Sequence, residues 1–234
     1  MATFVLVHGS WIGGWCYTKT ARILRAAGHD VFAPTLTGLG ERTHLLHGGI
    51  DLSLHIKDVE NVFVYERLSD VILVGHSYGG MVVTGVSSIC ADQIRSLVYL
   101  DAFVPENGQS HWDIGGERAH DIFIEGQRDM PGRIISMDFI RRGADPDRPR
   151  SIRAMDRQPL LTLLEPVKLS GAEKKIKNRS YILATGGQGP GFRRFYDKVK
   201  DQPGWRVNTI ATGHLAMLED PEALAKLLLE ELTV

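Results

Sequence analysis

Six short apolar runs, each closed by a turn and followed by a stretch of helical character, constrain this chain more than any other feature. They read "TFVLVHG", "HDVFAPTL", "DVILVGHS", "RSLVYLDAF", "RSYILATGG" and "WRVNTIATGH". The runs are near-continuous in apolar residues rather than alternating. Each must therefore hide both faces, as parallel strands do when helices cover the sheet on two sides. Helix signals fill the gaps. Residues 15–27 stop at Gly28, Asp51 can cap a helix running towards Leu68, and Asp220 precedes Pro221 and an inner face of Leu224, Leu227 and Leu228. Strand, helix, strand in repetition predicts an α/β fold with a mainly parallel sheet of about six strands.

At 234 residues and 43% hydrophobic content, the chain can fill one substantial core but is short for two. Residues 1–234 are read as one domain. The interval between the strand ending near Phe103 and the next breaks the rhythm and is rich in Met, Ile and Arg. It leaves the C-terminal end of a strand, where open α/β sheets bind ligands, so 106–178 is read as an inserted cap or lid, helical in pieces. A net charge of −1 without a basic run speaks against a nucleic-acid partner. Two cysteines are too few for a disulfide framework, and neither a signal-peptide pattern nor a membrane-length apolar run is present. A cytoplasmic location with no membrane partner is expected, and a homodimer stays open. There is no phosphate-binding glycine fingerprint and no ligand-spaced His/carboxylate cluster, so neither cofactor nor metal is expected.

The strongest local signal is G-x-S-x-G at Gly75, Ser77 and Gly79, between an apolar strand at 71–74 and a helix-like stretch at 81–88. A serine on a sharp strand-to-helix turn needs small neighbours two places away, and the turn lifts its hydroxyl out of the sheet at a helix N-terminus. Ser77 is the candidate nucleophile. At the end of the first strand, "LVHGSW" fits the segment that donates a backbone N–H to a tetrahedral intermediate, so Ser10 and Tyr78, the residue after the nucleophile, are the candidate oxyanion donors. Of nine histidines, His214 is the last, lying after the final strand and before the final helix. An imidazole can take the serine proton and return it to the leaving group, which makes His214 the candidate base. His8 and His76 are read as structural.

Taken together, "FVLVHGSWIGGWCY", "PTLTGLGERTHLL", "DLSLHIKDV", "VILVGHSYGGMV", "LVYLDAFVPENGQS" and "GHLAMLEDP" resemble the small α/β-hydrolases that include plant methylesterases, hydroxynitrile lyases and bacterial pyrethroid hydrolases. The resemblance implies the α/β-hydrolase fold and the roles already given to Ser77, His214, Ser10 and Tyr78. It also separates two chemistries. In the lyases a threonine follows the first-strand histidine and a lysine follows the catalytic one; here those places hold Gly9 and Leu215, which favours ester hydrolysis over cyanide elimination.

In most of that family the catalytic acid follows the strand corresponding to "SYILA", but between Ser180 and Arg193 this chain has no carboxylate. Three answers stand open. Asp101, at the tip of the neighbouring strand, is favoured because a fixed anion stabilises the imidazolium. Asp197 would need the chain to fold back. The third is a Ser–His dyad oriented by Gln188 or a carbonyl. The expected activity is a serine esterase working through an acyl-enzyme on a small to medium hydrophobic or aromatic ester, with Trp11 and Trp112 near its mouth. The rival readings are a cofactor-free lyase or C–C/lactone hydrolase, and a non-catalytic small-molecule receptor.

Overall fold

The computed structural model describes residues 1–129, 132, 134–136, 157–186 and 191–233. All six apolar runs form strands of one sheet: β1 (Thr3–Val7), β2 (Asp30–Phe32), β3 (Val71–His76), β4 (Ile94–Leu100), then β7 (Asn178–Ala184) and β8 (Trp205–Ile210). A separate antiparallel pair, β5 (Ile134–Ser136) and β6 (Arg157–Pro159), lies between β4 and β7. The main sheet runs β2-β1-β3-β4-β7-β8 and every pairing in it is parallel.

The apolar runs are continuous because both faces of the strands are covered. Val5, Val7, Val71 and Leu73 join one core cluster; Phe4, Leu6, Ile72 and Val74 join the other. Helices α2 (Leu52–Tyr65) and α3 (Gly79–Ile89) contribute to the first, α1 (Thr18–Ala26) and the C-terminal helix to the second. The helix signals hold with small shifts. Residues 14–17 form a tight 3-10 turn before α1. Asp51 accepts from the Leu54 N–H at the start of α2. The run at 30–37 yields only a three-residue strand, because Pro34 cannot donate to a ladder.

Between β4 and β7 the described residues form α4 (His111–Gly115), α5 (Glu117–Asp129), the β5–β6 ribbon and α6 (Leu161–Leu164). The insertion, expected to be helical in pieces, carries a ribbon as well, which pairs Ile135, fully buried, opposite Gln158. Beyond β7 come α7 (Arg193–Val199), α8 (Ala216–Glu219) and α9 (Pro221–Leu229), the last capped by Asp220 through the Ala223 N–H. The chain leaves β1 towards β2 on one side and meets β3 on the other. Such a reversal opens a crevice at the strands' C-terminal ends.

Candidate active site

Ser77 lies between β3 and α3 with φ +54, a left-handed backbone that non-glycine residues seldom adopt. The flanking glycines are a packing demand. A Cβ at Gly75 would fall 2.6 Å from Val83 Cγ2, and one at Gly79 would fall 2.7 Å from the carbonyl oxygens of Val7 and His8. The turn is fixed by the Ser77 carbonyl, which accepts from the N–H groups of Gly80 (3.0 Å) and Phe103 (3.2 Å).

The β1 loop presses against this elbow. A Cβ at Gly9 would sit 2.9 Å from Ser77 Cβ. His8 stiffens the loop: its Nδ1–H donates to Gly9 O (2.7 Å) and its Nε2 accepts from the Leu36 N–H (3.0 Å). Burial lowers its pKa to about 4, which keeps the ring neutral and able to accept. Among the described residues, the backbone N–H groups of Ser10 and Tyr78 have no hydrogen-bond partner. The Tyr78 phenol donates to His55 Nδ1 (3.0 Å), while His55 Nε2–H donates to Thr37 O (2.9 Å). Gly9→Ala must push this loop off Ser77. The expected result is a kcat loss of roughly tenfold or more with a small fall in melting temperature, read by steady-state kinetics beside calorimetry.

Asp101 is the first residue past β4, which ends at Leu100 rather than near Phe103. It is buried, with φ +42, and its N–H donates to Ile182 O (2.7 Å). Its Oδ1 accepts from the Ala184 N–H (3.2 Å) and its Oδ2 from His214 Nδ1–H (2.6 Å). The carboxylate is thus held by the backbone of β7, the very strand whose following turn lacks an acid. His214 Nε2 has no described partner. Two further side chains hold His214. His76 Nε2–H donates to His214 O (2.8 Å), the His76 ring lies 4.5 Å away, and Phe192 stacks on it at 4.7 Å and 9°. Burial first, then the nearby His214, push the His76 pKa well below the usual range.

Asp197 does not come to His214. It sits exposed on α7 and pairs with Lys200 (3.1 Å) and Arg193 (3.5 Å). Gln188 falls outside the described residues. Trp11 lies beside Ser10, half-buried, with its N–H donated to Gln158 Oε1 (3.2 Å). Trp112 stacks on His120 at 3.8 Å, and its carbonyl accepts from that ring, so the indole is engaged within the 106–178 segment. Three partners were not foreseen from sequence: Phe192, Gln158, and the bond from His76 to the His214 carbonyl. An aromatic directly after an acid-free glycine turn was the available signal for the first. Among the described residues no group of His, Cys, Asp or Glu is placed to hold a metal. A cavity of about 510 Å³ under Tyr99, Arg179 and Trp205 is lined by none of the candidate site residues.

The profile of the alpha/beta hydrolase family matches residues 4–227. The chain belongs to that family. This hydrolase is 42% identical to a carbendazim hydrolyzing esterase of Nocardioides sp. (strain SG-4G), over 97% of this chain and 98% of that one. It is 35% identical to methylesterase 1 of Arabidopsis thaliana over 46% of this chain and 41% of that protein. Among solved structures, an extracellular alpha/beta-hydrolase from a Paenibacillus species superposes with a TM-score of 0.84 at 26% identity, covering 99% of both chains. A pyrethroid hydrolase from Sphingobium faniae JZ-2 shares the fold, with a TM-score of 0.74 at 21% identity over 98% and 96% of the two chains. The named relatives place this hydrolase among the family's serine esterases. Among its described residues no helix is long and apolar enough to cross a membrane.

Proposed function

We propose that this hydrolase cleaves carboxylic esters through an acyl-enzyme on Ser77, with His214 as base and Asp101 as the acid that orients it. The observation that carries the reading is the 2.6 Å bond from His214 Nδ1–H to Asp101 Oδ2, made between side chains 113 positions apart. It leaves Nε2 of the imidazole as the acceptor. Ser77 Oγ attacks the acyl carbon as Nε2 takes its proton, and the buried Asp101 stabilises the imidazolium. The N–H groups of Ser10 and Tyr78 hold the oxyanion. The tetrahedral intermediate collapses, the alcohol leaves with the proton from Nε2, and water repeats the cycle on the acyl-enzyme.

An apolar or aromatic acyl group would fit the aromatic surroundings of the base. Phe192, flat on His214, meets Phe103 edge-on at 4.9 Å, and Phe103 lies 5.5 Å from Phe195. The relatives named methylesterase support a small alcohol as the leaving group from such an acyl unit. Segment 106–178 acts as the cap of the single domain, reaching the β1 loop through Gln158. Both cysteines are free and buried, in keeping with a cytoplasmic, reducing location.

Labelling with a fluorophosphonate, followed by peptide mapping, is expected to modify Ser77. Ser77→Ala should lose label and turnover of aryl and methyl esters together, by about 10⁴-fold or more. A panel of esters, cyanohydrins and 1,3-diketones decides among reactions on this scaffold. Turnover of the latter two but not of esters would overturn the esterase reading, and stoichiometric binding without any turnover would mark a receptor.

A further inference from the structure

Gln158 is the central residue of β6 and has no exposed surface. Its amide is held at both ends. Oε1 accepts the Trp11 N–H at 3.2 Å, and Nε2 donates to Thr162 Oγ1 at 2.5 Å. Thr162 spends its own hydroxyl proton on Pro159 O at 2.6 Å. The Thr162 oxygen can then only accept from the amide, so the nitrogen must face Thr162 and the oxygen must face Trp11. A buried amide polarised in this way does not flip without leaving two groups unpaired.

The group it holds is unusual. Trp11 sits at φ +63, in the left-handed region, which is strained for a bulky residue. Such a residue relaxes unless its surroundings over-determine it. Trp11 directly follows Ser10, whose N–H is unpartnered, and Gly9 lies too close to Ser77 to admit a Cβ. Gln158 also occupies the Trp11 N–H, whereas the adjacent Ser10 N–H has no partner among the described residues. Thr162, at the other end of the amide, lies beside the phenol of Tyr78, the residue of the second donor. One cap unit thus bonds the residue after Ser10 and lies beside the side chain of Tyr78.

We infer that Gln158 is a positioning residue for the oxyanion hole: seated in the cap, it pins the Ser10–Trp11 peptide in its left-handed turn and so aims the Ser10 N–H at the developing oxyanion. The inference rests on the acyl-enzyme reading above. It couples seating of β6 to assembly of the catalytic donors, which gives a reason for a fully buried amide opposite Ile135 in the ribbon. A donor aimed at a transition-state charge affects kcat more than substrate affinity, because the ground-state carbonyl carries little of that charge.

The test compares wild type with Gln158→Met, which keeps length and apolar volume but has no acceptor, and Gln158→Glu, which as a neutral buried acid restores both bonds. The expected result for Gln158→Met is a kcat about 10- to 100-fold lower on an aryl ester, with KM within about threefold. Affinity for an aryl boronic acid, whose tetrahedral adduct fills the hole, should fall in parallel, while affinity for the free carboxylic acid product stays level. Gln158→Glu should recover most of the loss at mildly acidic pH and less as its carboxyl ionises. A folded Gln158→Met with wild-type kcat and boronate affinity overturns the inference, as does a loss confined to KM. Should Gln158→Met fail to fold, Thr162→Val decides. It releases the amide's orientation, and kcat and boronate affinity equal to wild type would overturn the proposal. Fluorophosphonate labelling of wild type at Ser77 runs alongside. An unlabelled, inactive wild type sinks the acyl-enzyme reading and the inference with it, whereas a labelled wild type with an indifferent Gln158→Met sinks the inference alone.

Discussion

Asp101→Asn should lower kcat by about 10⁴-fold, while Asp197→Asn stays within about twofold of wild type. The asymmetry follows from what each carboxylate touches. At Asp101, Oδ1 accepts the Ala184 N–H and Oδ2 accepts His214 Nδ1–H. An asparagine must keep its oxygen towards the Ala184 donor, so its NH₂ faces the imidazole. His214 Nδ1 then has to accept, its proton moves to Nε2, and the nitrogen that should take the Ser77 proton is already occupied. The side chain is almost wholly buried, so water cannot substitute for the lost acceptor. Asp197 is exposed and, among the described residues, pairs with Arg193 and Lys200, a surface arrangement worth little. The measurement is kcat on one aryl ester near pH 8 for both variants, with melting curves to confirm folding. Equal activity of the two variants would favour a Ser–His dyad; a severe loss in Asp197→Asn alone would move the acid to α7.

Acid should unfold this protein steeply below about pH 6. Four histidines are buried and held neutral, with desolvation the leading cause in each: His8 and His55 down to about 4, His111 to about 3, and His76 well below 6.5. All four are depressed in the folded state. In the unfolded chain each titrates near its ordinary 6.5, so the unfolded state binds protons first as pH falls. Stability is therefore whole above about 6.5. It declines from there down to about 4 for His8 and His55, and further for His111. By pH 4 each of the first pair costs roughly 3 kcal/mol, against a total of about 5–15 for a domain. Their hydrogen bonds give the same sign, because His8 accepts from the Leu36 N–H and His55 from the Tyr78 hydroxyl, which a protonated ring cannot do. Melting temperature between pH 8 and pH 4 checks this, together with proton uptake on unfolding measured in buffers of different ionisation enthalpy. A flat profile down to pH 4.5 would show that these rings are charged or solvated in the native state.

Local order is what sequence determined here. Apolar runs buried on both faces announced the strands of the main sheet, because a parallel strand leaves no side for polar residues. Asp51 and Asp220 announced their helices, since a cap bonds only to N–H groups two or three residues on. The serine elbow was legible for the same reason: Gly75, Ser77 and Gly79 make their demands within one turn of chain. The β5–β6 ribbon was missed because its strands are three residues long, too short for a period to declare itself.

What only the tertiary structure decided is which distant side chains meet. Strand order sets β4 beside β7, so the Asp101 N–H bonds Ile182 O and its carboxylate lies against Ala184 and His214. The sequence favoured Asp101 over Asp197 for its place at a strand tip, but the contact of its carboxylate with His214 depends on strand order, which no local pattern carries. Phe192 on the imidazole and Gln158 beneath Trp11 belong to the same class: an aromatic and an amide whose roles depend on partners 22 and 147 positions away. Short-range sterics and periodicity are written along the chain, whereas contacts across it exist only once the sheet has closed and the loops at one edge have been brought together.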